Sequence, residues 1–169
     1  MKTIFFGVAA LLSVICLAPV HSTSLPKTVA TPGDPEAAAK AELLAIHKDA
    51  RRAHFAHDID AILAGTSESS TAVRDGKVQV RSRDDVRKQF TQYFQGTQFS
   101  AWDDLEPPII HVSPDGKMGW MIVRVRIAYT KTDASGAQSK EDTVMSWMSV
   151  YEKRDGKWLH VANASTTAP

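Results

Sequence analysis

The sequence predicts an α+β domain in which three N-terminal helices are wrapped by a curved, mainly antiparallel sheet into a cone. Three observations predict it. Three runs with helical spacing fall before residue 95, and beyond that point apolar and polar residues alternate with the period of a strand. The later runs are separated by Pro114-Asp115-Gly116, Asp133-Ala134-Ser135-Gly136 and Asp155-Gly156, the short turn chemistry of a meander. Helices first and strands afterwards is an α+β order, because each helix must bury its apolar stripe against a sheet formed later in the chain.

The first helix is predicted over residues 35–57, rich in Ala and Glu, with Leu43, Ile46, Ala50 and Ala53 on one face. Asp34 suits the N-cap and Pro35 the first turn. A short second helix, residues 58–64, turns Ile59, Ile62 and Leu63 inward and ends at Gly65. Two short strands, 70–74 and 78–80, flank Asp75-Gly76. Ser82 caps a third helix carrying Val86, Phe90, Tyr93 and Phe94, stopped by Gly96. Strands follow over 98–111, 117–130, 140–153 and 158–166. The Asp155-Gly156 pair between the last two supplies the positive φ angles of a tight hairpin.

Residues 1–22 read as a secretory signal peptide. Lys2 provides the positive start, and residues 4–18 form an apolar core too short to span a bilayer. Cleavage near Ser22 makes the mature chain secreted or periplasmic, with no membrane segment left. Residues 23–36 read as a flexible linker and 37–169 as one domain, about 145 residues being enough for a single core. Cys16 is the only cysteine and lies inside the apolar core, behind an Ile15 unlike a lipid-attachment site. The mature chain therefore has no disulfide, thiol nucleophile or cysteine-bound metal. Removing Lys2 leaves 20 − 1 = 19 Lys and Arg against 19 Asp and Glu. With no basic run, nucleic acid is excluded as the partner.

The Asp58-Ile59-Asp60 step after the first helix and the closing hairpin Glu152-Lys153-Arg154-Asp155-Gly156-Lys157-Trp158 carry a family likeness. The chain resembles the nuclear-transport-factor-2-like superfamily, which holds the SnoaL-like and ketosteroid-isomerase-like proteins. Its ending, through Thr166-Thr167-Ala168-Pro169, is most similar to the association domain of calcium/calmodulin-dependent kinase II. The resemblance implies a cone with a pocket and a dimer. It leaves function open, since this scaffold carries isomerases, cyclases, ligand carriers and assembly modules.

Strand alternation assigns the side chains to two faces. Across the Asp155-Gly156 turn, Lys153 faces Trp158, Tyr151 faces His160, Ser149 faces Ala162 and Trp147 faces Ala164. Trp120, Ile122 and Arg124 are expected with this pocket set. Met121, Val123, Val125 and Ile127 are expected on the convex face with Val144, Met148, Val150 and Val161. A sheet apolar on both faces needs a second cover, so a homodimer through the convex face is expected. The expected ligand site is Arg124, Trp120, Trp147, Ser149, Tyr151 and His160, suited to a small organic anion. The resemblance points to Arg124 because an arginine of the kinase association domain sits at the matching position; the alternative is an ion pair at the cavity mouth. Ala162 and Ala164 stand where that family commonly has histidines.

For catalysis the resemblance offers two routes. An isomerase of the ketosteroid kind needs a carboxylate base and two donors for the enolate oxygen. Asp75 falls near the base position, but the donors would fall at Ala50 and Met145, so that chemistry is not expected, and Asp75 is equally the first residue of its turn. A cyclase or dehydratase needs one acid–base residue, for which His160 beside Tyr151, His54 or His57 are candidates. His57 also suits a helix C-terminus. His54, His57 and Asp58 have metal-like spacing without a third ligand, so neither metal nor cofactor is expected. The four tryptophans read as core, with Trp102 near a rim. Asn163-Ala164-Ser165 matches a glycosylation pattern but lies in a predicted strand. The leading expectation is an exported, dimeric binder of a small anion. An enzyme using His160, Tyr151 or Asp75 and a homo-oligomerisation module remain as alternatives.

Overall fold

The computed structural model describes residues 34–168; the expected signal peptide and the linker up to residue 33 lie outside the described residues. Asp34 caps α1 (Pro35–Ala56) by accepting a hydrogen bond from the Glu36 amide at 2.9 Å, and Pro35 occupies a first-turn position where no N–H is needed. His57 ends the helix in the left-handed region, φ 53°. Asp58 then caps α2 (Ile59–Ala64) through the Ala61 amide. β1 (Thr66–Arg74) and β2 (Lys77–Ser82) form a hairpin whose turn residues Asp75 and Gly76 have φ 51° and 71°. Ser82 and Asp85 close a reciprocal capping box on α3 (Arg83–Phe94).

The sheet continues with β3 (Thr97–Asp104), β4 (Ile109–Val112), β5 (Met118–Thr132), β6 (Gln138–Arg154) and β7 (Lys157–Thr167). The single strand expected over 98–111 is two. Pro107 and Pro108 lack amide protons and restrict the residues before them, so pairing stops after Asp104 and resumes at Ile109. Strand order is β2-β1-β7-β6-β5-β3, with β4 beside β3 on the same edge of β5. β1 runs parallel to β7; the other pairings are antiparallel.

The register fixes which side chains share a face. Met121 lies opposite Ser149, Val123 opposite Trp147 and Val125 opposite Met145. Leu43 and Val125 are 0% exposed and Met121, Val123 and Ile127 are nearly so, packed with Phe99, Trp102, Tyr151 and Trp158 under the helices. This corrects the expected faces of β5. Met121, Val123, Val125 and Ile127 point inward, and Trp120, Ile122 and Arg124 point outward. Alternation by itself leaves a strand with two possible orientations, and a shift of one residue reverses every side chain. Gly119 marks the tightest point, because a Cβ there would stand 2.8 Å from the Leu43 side chain and 3.1 Å from the His111 carbonyl oxygen.

The outward residues form two apolar ladders across the sheet. One runs Val78, Val73, Ala164, Met148, Ile122, Ile109; the other runs Val80, Thr71, Ala162, Val150, Trp120, His111, with the last two rings stacked at 5.4 Å.

Candidate functional site

The helices lie against β1 to β4, leaving the inner face of β6 and β7 less covered. Met145, Trp147, Asn163 and Ser165 all point inward yet keep intermediate exposure, so the concave side holds a trough rather than a filled core. Its lining is set by a β-bulge. Tyr151 pairs with His160, but Val150 pairs with Ala162, so Val161 is the extra residue. Beyond it Asn163 stands opposite Ser149 and Ser165 opposite Trp147, where Ala162 and Ala164 were expected. The two alanines are outside, and the trough gains an amide and a hydroxyl.

At the β1–β2 end of the trough Arg81 is paired in register with Ser70. Its guanidinium donates to the Gln89 side-chain oxygen and to the Asn163 Oδ1 at 3.3 Å. Both partners are neutral amides. The Arg81 Nε and the Ser70 Oγ are buried with no hydrogen-bond partner, although Ser70 is only 2% exposed. Burial pulls the Arg81 guanidinium below its ordinary range, which is the cost of holding a charge out of water without a counter-ion. The neighbouring Arg83 differs: it donates to the Thr66 carbonyl and pairs with Glu68 at 3.0 Å.

His160 and Tyr151 adjoin this cluster with rings 5.7 Å apart, edge to face. Burial first, and the Arg81 charge second, push His160 down to about 4, so the ring is neutral at pH 7. Burial raises the Tyr151 hydroxyl, which therefore stays protonated.

A second polar group enters from α1. The core-facing stripe of that helix runs Ala39, Leu43, His47, His54, so His47 holds a position where an apolar residue would be expected. It is 6% exposed, and its Nε2 lies 2.8 Å from the Asp104 carboxylate at the end of β3. The Trp147 ring is 6.5 Å away, Trp102 lies 6.1 Å beyond it, and the Trp102 Nε1 is buried without a partner. His54 sits among Phe90, Tyr93, Phe94, Phe99 and Trp102, with Nδ1 donating to the Ala50 carbonyl at 2.7 Å. Burial pushes it down to about 4.

Of the residues expected at the site, Trp147, Ser149, Tyr151 and His160 lie on the inner face. Arg124 and Trp120 do not. Arg124 is on the outer face, half exposed and bonded to Glu106 at 3.1 Å, because the orientation of β5 is the reverse of that expected. Asp75 is at the exposed tip of the β1–β2 hairpin. His57 stacks on Phe94 at 4.9 Å outside the trough lining. Among the described residues there is no cluster of three metal-ligating side chains and no helix long and apolar enough to cross a membrane. Arg81, Ser70, Asn163, His47 and Asp104 were missed. His47 follows Leu43 by four residues, which was a usable signal; the bulge that turns Asn163 inward has none.

The family model of the SnoaL-like domain matches residues 48–161, about two thirds of the chain. The chain belongs to the SnoaL-like family. Solved structures agree on the fold. A ketosteroid isomerase-like protein from Erwinia carotovora atroseptica is 16% identical, with TM-score 0.60, covering 77% of this chain and 97% of its own. A candidate calcium/calmodulin-dependent kinase II association domain from Xanthomonas campestris is 21% identical, with TM-score 0.56 and coverages of 83% and 94%. A candidate dehydratase of the NTF2-like family from Streptomyces avermitilis is 11% identical, with TM-score 0.62 and coverages of 79% and 99%. No protein of curated function matches the sequence. The SnoaL-like fold is thus one of a superfamily of ligand-binding and isomerase- or dehydratase-type proteins, and at these identities the solved structures speak to the fold alone.

Proposed function

We propose that this SnoaL-like protein binds a small organic anion in the trough, with Arg81 rather than Arg124 as the anchor. One observation carries the reading: a buried guanidinium whose protein partners are neutral amides keeps its Nε unpaired beside the unpaired Ser70 hydroxyl. A carboxylate placed there accepts from both and supplies the missing counter-charge. The half-exposed Trp147, with Ser149, Tyr151 and His160, offers the mixed aromatic and polar wall that receives the rest of the molecule.

Native mass spectrometry of the mature protein from its own host tests this. Extra mass lost on denaturation, and absent from Arg81→Ala purified in the same way, is the expected result. An Arg81→Ala protein that carries the same mass refutes the anchor.

Export and dimerisation belong to the same proposal. The two outer ladders place exposed Ile122, Met148, Val78 and Val80 on one surface, and a second copy of the chain covers such a face by self-complementarity. Met148→Glu is expected to give a folded monomer by light scattering; an unchanged dimer refutes the interface. Fractionation of the tagged full-length chain should place it outside the cytoplasm, and cytoplasmic retention at full length refutes export.

A further inference from the structure

The reading of the trough as a ligand site leaves the His47–Asp104 pair unused. We propose that His47, positioned by Asp104, is the acid–base residue of the trough, transferring a proton to and from a bound molecule whose developing oxyanion is met by the Trp102 N–H. The inference rests on the trough being a ligand site, and it adds chemistry to binding.

Four observations converge. First, an imidazole stands in the apolar stripe of α1 at 6% exposure, one turn after a fully buried Leu43. Second, the Asp104 carboxylate 2.8 Å from Nε2 can only accept, so the proton of the neutral ring is on Nε2 and the lone pair is on Nδ1. Among the described residues no group pairs with Nδ1. That tautomer is a base held in orientation by a carboxylate, and the imidazolium formed after proton uptake has its counter-charge already in place.

Third, the pair is next to the trough wall, since His47 packs on Trp147, whose indole also meets Trp102 edge to face. The Trp102 N–H is buried and unpaired there. A donor without an acceptor, near a base, suits a substrate oxygen that gains charge when a neighbouring proton leaves. Fourth, the other two buried histidines lack this arrangement. His54 has a backbone carbonyl as partner inside an aromatic box, and His160 lies beside Arg81. Neither has a carboxylate to receive the charge of its protonated form.

A neutral probe separates this chemistry from anion anchoring. 5-Nitro-1,2-benzisoxazole loses its C3 proton to a base; the C–H electron pair becomes the new C–N π bond of a nitrile, and the N–O bond breaks with its electrons left on the phenolate oxygen. No oxidant or co-reactant is needed. The wild-type protein is expected to release 2-cyano-4-nitrophenolate with saturation kinetics. His47→Gln should lower kcat by about a hundredfold or more while the probe's quenching of tryptophan fluorescence persists. Asp104→Asn should lower kcat and alter its pH profile, because the amide no longer fixes the proton on Nε2; a purely structural ion pair would move neither in a protein that keeps its fold by circular dichroism.

Equal turnover in wild type and His47→Gln overturns the proposal. Quenching without saturable turnover also overturns it while leaving the ligand site standing. Absence of both quenching and turnover overturns the acid–base role together with the trough reading.

Discussion

Arg81 and Arg124 are the same residue type on the same sheet, and their surroundings differ completely. Arg124 stands on the outer face with water and the Glu106 carboxylate for company. Arg81 stands on the inner face with two amides, an orphaned serine hydroxyl and a neutral histidine. A guanidinium with a carboxylate at a wet surface is a satisfied charge contributing at most about 1 kcal/mol. A guanidinium withheld from both water and carboxylate is an unmet demand for an anion. The side of the sheet, more than the residue type, decides which arginine can anchor a ligand.

Substitutions on the two sides should diverge accordingly. The largest effect is expected for Val125→Asp, which puts an unpaired charge at a position with no exposure; a loss of at least about 4 kcal/mol, read as insoluble or unfolded protein, is expected. Ile122→Asp, three residues earlier and outward, should leave the protomer folded. A folded Val125→Asp or an unfolded Ile122→Asp breaks the assignment of faces.

Acid should act next, and from the inner side. His54 and His160 are each pushed from 6.5 to about 4, so the unfolded chain binds more protons than the folded one between those values. Their contribution is fully present above pH 6.5 and is lost as pH falls towards 4, to a limit of about 3 kcal/mol each by the usual relation per pKa unit. Urea midpoints at pH 7 and pH 4.5 measure it, and His54→Phe should remove a large part of the difference. A pH-independent midpoint would contradict the burial of both rings.

Arg81→Met should change stability by about 1 kcal/mol or less, since the loss of two amide bonds offsets relief of a buried charge, while abolishing anion uptake. The smallest effect is expected for Arg124→Met: under about 1 kcal/mol in denaturation and no change in bound mass. Loss of ligand in Arg124→Met with retention in Arg81→Met would reverse the comparison.

The order of elements was legible because it is written locally. Asp34, Ser82 and Gly96 punctuate helices by cap chemistry, and Asp75-Gly76 and Asp155-Gly156 mark hairpins by positive φ. The inward set of β6 was legible too, since Tyr151 and Trp147 alternate with Val150 and Met148. The orientation of β5 was not, because Trp120, Ile122, Met121 and Val123 are apolar on both sides, and alternation cannot rank two apolar faces. Only the register against β6 and the Leu43 contact at Gly119 decide it. The site was legible in part for the same reason. Residues paired across one tight turn, Tyr151 and His160, fell together, whereas Arg81 with Asn163 and His47 with Asp104 meet across 82 and 57 positions of chain. Pairings at that range are set by tertiary packing, and no local pattern encodes them.

The extra residue at Val161 carries a consequence for how such a trough changes over generations. A point substitution exchanges one side chain at a time. Deleting a single codon there would pull the rest of β7 back by one step, sending Asn163 and Ser165 outside and bringing Ala162 and Ala164 in. Insertion and deletion, usually confined to loops, here become a route for rewriting a binding wall in one event, with the strand itself still paired on both edges.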